Sequence, residues 1–254
     1  MIVDSHAHLQ WPSFDRDRAE VITRAREANV KYVVNIGYDL ASSKKAVELA
    51  EKYEGLYATV GLHPHNAGEF NEKVLSTLRR LSENSKVVAI GEIGLDYYRN
   101  LSSKGAQQKA FENQLLLAQE LELPVVIHDR DAHADVLKTL SKFRGKTNGV
   151  IHCFSGSREM AEQCINLDYF VSFAGSVTFP NAHKLHETAK TITLDKLLIE
   201  TDCPWLAPQN MRGRRNEPSF LLFTAERIAS LRSISPDELA EATINNAKHI
   251  FHMP

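Results

Sequence analysis

Histidine and carboxylate side chains recur directly after short apolar segments of the sequence, and these residue types bind metal ions. His6 and His8 follow the apolar pair Ile2-Val3 and lie two residues apart. Because alternate residues of a β-strand face the same side, both imidazoles can reach one ion. Taken alone, a pair of this kind is weak support for a metal site, since paired histidines also occur in protein cores and on surfaces.

Further residues of the same two types follow other apolar segments. They are His63, His65, Glu92, His128, His152, Glu200 and Asp202. Imidazole and carboxylate are suitable ligands for Zn²⁺, Mn²⁺ and Fe²⁺, and such a site needs no cysteine. Glu92 follows Ala89-Ile90-Gly91, so it would be a costly buried charge unless an arginine or a metal ion neutralised it. The combined set favours a metal centre.

Eight apolar segments alternate with eight stretches of helical periodicity, and they must position these side chains. The predicted strands are 2–3, 32–36, 57–60, 87–90, 125–127, 149–151, 169–173 and 197–199. Most of them lack polar alternation, which is typical of parallel strands buried on both faces. The predicted helices are 16–29, 41–54, 71–83, 105–121, 131–143, 157–167, 181–191 and 217–232.

Eight βα units of about 32 residues match a (β/α)8 TIM barrel of roughly 250 residues. A doubly wound open sheet is the alternative. An extra C-terminal helix is predicted to begin at Ser235-Pro236-Asp237-Glu238 and to pack outside the barrel as an appendage. We expect one domain over residues 1–254. In a parallel barrel all strands end at one mouth, so the histidines and carboxylates should meet there.

Composition excludes several classes of protein. There is no run of eighteen apolar residues, so we expect no membrane-spanning helix. The N-terminus lacks the basic and apolar stretches of a secretory signal, and three cysteines are too few for a disulfide framework, so we expect a cytoplasmic location. A net charge of -2 argues against a protein that coats nucleic acid, but not against an enzyme that binds one phosphate locally.

A series of short motifs resembles the TatD-type metal-dependent deoxyribonucleases. In chain order these are His6-x-His8, Gly61-Leu62-His63-Pro64, Gly91-Glu92-Ile93-Gly94-Leu95-Asp96, His128-Asp129-Arg130-Asp131-Ala132, His152-Cys153-Phe154-Ser155-Gly156, Glu200-Thr201-Asp202-Cys203-Pro204 and Arg212-Gly213-x-x-Asn216-Glu217-Pro218. The resemblance covers the whole chain. Ile93 departs from a frequent Thr, and Ser176 lies in a variable loop; neither position is a ligand.

The resemblance implies a TIM barrel of the amidohydrolase group that binds two divalent metal ions. His6, His8, Glu92 and Asp202 would hold one ion, and Glu92, His128 and His152 the other, with Glu92 bridging. The ions would be Mg²⁺, Mn²⁺, Zn²⁺ or Fe²⁺. The implied activity is that of a 3′–5′ exodeoxyribonuclease, in which a metal-activated water cleaves phosphodiester bonds at single-stranded DNA ends. Asp202 is assigned as the general base, and a monomer is expected.

Substrate contacts are predicted from residues near the strand ends. His63 is assigned to the scissile phosphate, with a further metal ion or a structural hydrogen bond as alternatives. Arg130 is assigned to phosphate rather than to a salt bridge with Asp129 or Asp131. Arg212 is also assigned to phosphate, although a solvated basic loop is the simpler interpretation. Five aromatic residues can stack on bases or simply pack in the protein; they are Trp11, Tyr97, Phe154, Phe179 and Trp205.

Two other functions are compatible with the sequence. The same metals could hydrolyse a small amide, lactone or ester, as in other amidohydrolases, but Glu92 as the bridge and the nearby arginines favour phosphate. A barrel that only binds nucleic acid or protein is the non-enzymatic alternative. It leaves the costly cluster of histidines and carboxylates without a purpose.

Overall fold

The computed structural model describes residues 1–254 and contains one sheet of eight parallel strands. The strands are β1 (Ile2–Ala7), β2 (Val30–Ile36), β3 (Leu56–Val60), β4 (Val87–Asp96), β5 (Val125–Arg130), β6 (Gly149–Ile151), β7 (Tyr169–Phe173) and β8 (Leu197–Ile199). Each strand pairs with the next one along the chain. Beyond β8, Cys203 bridges back to Ala7 at the end of β1. The (β/α)8 TIM barrel is therefore confirmed, and the open-sheet alternative is wrong.

Helices separate the strands and cover the barrel. They are α1 (Arg18–Glu27), α2 (Leu40–Lys52), α3 (Glu72–Ser82), α4 (Lys104–Leu121), α5 (His133–Lys142), α6 (Arg158–Asn166), α7 (His183–Thr191), α8 (Leu221–Arg232) and α9 (Pro236–Ile250). Apolar side chains of strands and helices form one large buried cluster between the two layers. No helix has the length and apolar character needed to cross a membrane.

The extra C-terminal helix α9 is present and begins where the sequence predicts. Ser235 caps it by accepting a hydrogen bond from the Glu238 backbone N–H. The expectation that α9 is a peripheral appendage is wrong. Ile250 at its end, and Phe251 and Met253 just after it, belong to the buried cluster that fills the barrel interior, and most of the strand residues in this cluster are the second residues of their strands. The end of α9 thus closes the amino-terminal end of the barrel and leaves the carboxyl end as the open one.

The first five strands are longer than predicted, and for β4 and β5 this matters for the site. β4 continues to Asp96 and β5 to Arg130, and Gly94 pairs with His128. Gly94 has a φ of +136°, and a Cβ atom there would overlap the carbonyl oxygen of His128. Only glycine lets the two strands approach so closely at this position.

Gly94→Ala should therefore lower the free energy of unfolding by about 2–3 kcal/mol, because strain and steric overlap separate β4 from β5. Gly105→Ala is the matched control. Gly105 lies in the first turn of α4, where an added Cβ meets no atom within 4 Å, so its stability should be unchanged or slightly higher. Urea denaturation of both variants measures the difference. Equal stabilities would contradict the close approach inferred at Gly94.

Candidate metal centre

The sequence-predicted metal ligands converge at the carboxyl end of the barrel. His6, Glu92 and His128 lie in β1, β4 and β5, and the other ligands follow strands within three residues; they are His8, His152 and Asp202. His63, which follows β3, joins them. All are buried except His128 and Asp202, which are half-buried. The structure thus brings together every predicted ligand, although the residues span almost two hundred positions of sequence.

One group of donor atoms forms around His6 and His8. The Nε2 atoms of these two histidines lie 3.0 Å apart. Oε2 of Glu92 lies 3.6 Å from His6 Nε2 and 3.8 Å from His8 Nε2. Oδ1 of Asp202 lies 3.6 Å and 3.5 Å from the same two nitrogens. Two imidazoles and two carboxylates therefore surround one point.

A second group forms around the other oxygen of Glu92. Oε1 lies 2.8 Å from His128 Nδ1 and 2.8 Å from His152 Nε2, and these nitrogens are 3.3 Å apart. His63 Nε2 lies 3.4 Å from the same oxygen. The two oxygens of Glu92 thus face two different groups of donors, which is the arrangement of a bridging carboxylate.

These spacings fit divalent ions. Ligand bonds of about 2.1 Å at tetrahedral angles place neighbouring ligand atoms about 3.4 Å apart. The spacings in both groups range from 2.8 to 3.8 Å. Nitrogen and carboxylate oxygen are also the donor types that Zn²⁺, Mn²⁺ and Fe²⁺ accept. The residues present can therefore hold two ions.

Hydrogen bonds on the far side of the rings determine which nitrogens have a free lone pair. His8 Nδ1 lies 3.0 Å from the carbonyl oxygen of Ile36. A carbonyl only accepts, so this nitrogen carries the proton and Nε2 is free to bind an ion. His152 Nδ1 lies 3.3 Å from Glu200 Oε1, which frees its Nε2 in the same way. His6 differs, since its Nδ1 is buried without a partner.

His63 has the opposite tautomer. Its Nδ1 accepts a hydrogen bond from the His65 backbone N–H at 3.1 Å, so the proton of the neutral ring lies on Nε2. Burial lowers the pKa of His63 to about 4 despite the nearby Glu92 carboxylate, which keeps the ring neutral. Although His63 lies close enough to Glu92 and His128 to be grouped with them as a ligand, its Nε2 is arranged as a hydrogen-bond donor.

Both candidate carboxylate ligands are ionised near neutral pH. Burial raises the pKa of Glu92, but the charge of His152 and the hydrogen bonds with His128 and His152 outweigh it and hold the pKa well below its usual range. The pKa of Asp202 is also lowered: burial opposes the shift, and the neighbouring His8 and His6 rings outweigh it. The centre is therefore a negatively charged site among neutral or cationic rings.

Two carboxylates behind the centre had no role assigned from the sequence. Asp96 Oδ2 lies 3.2 Å from His128 Nε2 and 2.8 Å from His65 Nε2. Glu200 Oε1 accepts from the Cys153 backbone N–H at 2.8 Å in addition to contacting His152. The signal in the sequence was the acidic residue at or near a strand end. Asp96 was missed because β4 was predicted to stop at residue 90.

The predicted substrate-binding arginines lie on the rim and make no contact with the metal-ligating groups. The guanidinium of Arg130 lies 4.3 Å from the centre of the Tyr98 ring. Arg130 forms no salt bridge with Asp129, whose carboxylate bonds His133 instead. Arg212 lies 5.2 Å from the ring of Phe179. Both arginines are exposed.

The five candidate stacking residues separate into two kinds. Phe154 is buried in the core, Tyr97 donates its hydroxyl to Asp135, and Phe179 lies against Arg212. Trp11 and Trp205 instead contact each other beside His8. Of the two loop residues without an assigned role, Glu217 forms a two-pronged ion pair with Arg24 of α1, and Asn216 fixes the loop after β8.

Comparison with known proteins gives consistent matches. The family model described as TatD related DNase matches residues 3–252. The uncharacterized metal-dependent hydrolase YabD of Bacillus subtilis is 44% identical over 100% of both chains. The 3′–5′ ssDNA/RNA exonuclease TatD of Pantoea vagans is 41% identical over 98% of this chain and 99% of the relative.

A solved structure agrees with these sequence matches. The crystal structure of YJJV, a TatD homolog from Escherichia coli K12, superposes with a TM-score of 0.94 at 32% identity, covering 100% of this chain and 98% of that one. From the family match over nearly the whole length and the full-length relatives, we conclude that the chain is a metal-dependent hydrolase belonging to the TatD-related DNase family.

Proposed function

We propose that this chain is a 3′–5′ exonuclease that removes nucleotides from single-stranded DNA ends with the help of two divalent metal ions. The observation that carries the proposal is the placement of Glu92, whose two carboxylate oxygens face two separate groups of ligand atoms. A relative that is 41% identical over 99% of its length is named a 3′–5′ ssDNA/RNA exonuclease, which supports the same substrate class.

The proposed ligands are divided between the two groups. His6, His8 and Asp202 would hold one ion, His128 and His152 would hold the other, and Glu92 would be shared between them. Divalent ions at such a site make water more acidic and offset negative charge on a phosphodiester. The metal could be Mg²⁺, Mn²⁺, Zn²⁺ or Fe²⁺.

The remaining chemistry falls to side chains at the mouth. Asp202 is half-buried and ionised, so it can accept the proton of the attacking water as general base. His63 presents Nε2–H and can donate a hydrogen bond to a nonbridging phosphate oxygen. Arg130 and Arg212, exposed on the rim, are proposed to bind phosphates of the incoming strand.

The decisive measurement is digestion of 5′-labelled single-stranded DNA by metal-stripped protein with Mg²⁺, Mn²⁺ or Zn²⁺ added back. We expect a metal-dependent ladder that shortens from the 3′ end. Asp202→Asn, prepared identically, should lose at least about 10²-fold of the rate, because general-base catalysis contributes about 10²–10⁴-fold. No cleavage with any of these metals would redirect the assignment to a small amide, lactone or ester. Equal rates in the variant would indicate a contaminating nuclease.

Glu92→Gln and His128→Ala should each reduce bound metal to fewer than two ions per chain, because each removes a proposed ligand. Their kcat/KM should fall by about 10³-fold or more, since each lost ion removes several kcal/mol of charge stabilisation. Elemental analysis after dialysis and single-strand digestion measure the two effects. His183→Ala, an exposed histidine of α7, is the control and should keep full metal content. Retention of two ions by Glu92→Gln would rule out a bridging role.

Asp96→Asn tests the carboxylate behind His128. Asp96 Oδ2 accepts from His128 Nε2, which leaves Nδ1 free for the metal ion, and it also contacts His65, while Oδ1 accepts from the Arg99 backbone N–H. An amide has only one accepting oxygen, so it cannot serve both sides. Metal affinity, measured by competition with a chromogenic chelator, should fall about 10- to 100-fold. Asp135→Asn, which alters an exposed carboxylate bonded to Tyr97, serves as control. Unchanged affinity in Asp96→Asn would show that Asp96 does not orient His128.

A further inference from the structure

An aromatic cluster lies beside the candidate metal centre and has no part in the chemistry described so far. It consists of Trp11, Tyr38 and Trp205. Trp205 and Tyr38 contact the His8 ring with centroid distances of 5.2 Å and 5.7 Å. Trp11 packs against both, at 4.7 Å from Trp205 and 5.6 Å from Tyr38. The three side chains form a continuous aromatic surface in contact with a proposed ligand.

Trp205 is held in place although its side chain is exposed. It is 42% exposed, which is unusual for the largest apolar side chain. Its backbone N–H bonds the Asp202 carbonyl at 3.0 Å, and its carbonyl accepts from Asn216 Nδ2 at 2.7 Å. Asn216 is fully buried and also donates to the Thr201 carbonyl at 2.8 Å. A rigid, exposed indole loses little conformational entropy when a ligand stacks on it.

The position of the cluster complements that of the rim arginine. Trp205, Trp11 and Tyr38 follow β8, β1 and β2, which are neighbours in the barrel. Arg130 ends β5, four strands from β1 and therefore on the opposite side of the mouth. The aromatic cluster thus lies across the mouth from Arg130, whereas Arg212 is on the aromatic side, in the loop after β8 and against Phe179. A nucleotide next to the cleaved bond likewise presents a flat base and a charged backbone on opposite sides.

We propose that the aromatic cluster is a base-stacking subsite, in which a base flanking the scissile phosphate stacks on Trp205. The inference rests on the proposed nuclease function, and it adds how the site selects its substrate. Stacking accepts every base, because each has a π-face, so the subsite requires a base without reading its identity. A base in a duplex is already stacked and paired, so the subsite favours single-stranded ends.

Fluorescence measures base binding directly, because Trp11 and Trp205 are the only two tryptophans of the chain. The metal-loaded protein is titrated with oligothymidylate whose 3′-terminal linkages are phosphorothioates, which slow cleavage. We expect saturable quenching that is lost with an oligomer of equal length and charge whose last two nucleotides are abasic. Trp205→Phe should lose most of the quenching. Equal quenching by both oligomers, or none by either, would overturn the proposal.

The effect of base stacking on cleavage is tested by measuring kcat/KM on 5′-labelled single strands. The strands are intact, abasic at the last nucleotide, or abasic at the penultimate nucleotide. Stacking on an aromatic side chain corresponds to about 10- to 100-fold in kcat/KM per base. The wild type should lose that factor on one of the abasic substrates. Trp205→Ala should lose it on the intact strand and respond little to base removal, while Trp205→Phe restores most of the rate.

The control is Leu116→Ala, which removes another exposed apolar side chain, on α4, and should behave as wild type. If Trp205→Ala retains the wild-type kcat/KM on the intact strand and loses as much kcat/KM as the wild type on the abasic strand, the proposed base-stacking subsite is wrong. If the wild type cleaves no DNA at all, the nuclease proposal fails, whereas the fluorescence titration still decides separately whether the cluster binds a base.

Discussion

The buried carboxylate of Glu92 is the constraint on which the rest of the centre depends. An ionised carboxylate removed from water is costly unless opposite charges or hydrogen-bond donors surround it. Here imidazoles from β1, β5 and the ends of β3 and β6 approach its two oxygens from different sides. The closed parallel barrel places side chains from several separate strands around one point, so the fold provides the partners that this buried charge needs.

A second layer of acceptors gives the rings their roles. The Ile36 carbonyl, Asp96 and Glu200 each face the outer nitrogen of a histidine and leave its inner nitrogen free to bind metal. His63 accepts a backbone N–H on its outer nitrogen and so presents a donor instead. Histidine side chains in the same pocket therefore act differently, because the groups that contact their outer ring nitrogens differ. These hydrogen bonds support the proposal that most of the histidine rings bind ions and that His63 binds phosphate.

The two ends of the barrel also have separate tasks. The end of α9 fills the amino-terminal opening with Ile250, Phe251 and Met253, which contributes to the core and leaves one functional mouth. At that mouth the loop after β8 has two roles. It carries Asp202 beside the proposed metals and Trp205 on the surface, and Asn216 fixes the backbone on both sides of them. The positions of the proposed general base Asp202 and of the proposed base-stacking surface are thereby coupled through the buried side-chain amide of Asn216.

The sequence by itself determined the barrel and the members of the candidate metal centre, because buried parallel strands follow a local pattern that repeats eight times and most of them end in polar residues. It placed His6, His8, Glu92, His128, His152 and Asp202 at one mouth, where the structure brings them together. The sequence did not predict the strand lengths, the packing of α9 or the contacts of Asp96. The histidine tautomers, the Arg130 stacking on Tyr98 and the Trp11–Trp205 contact also appear only in the folded chain. Each depends on a partner from a distant segment, and a pattern of residue types along the chain contains no information on which distant groups come into contact.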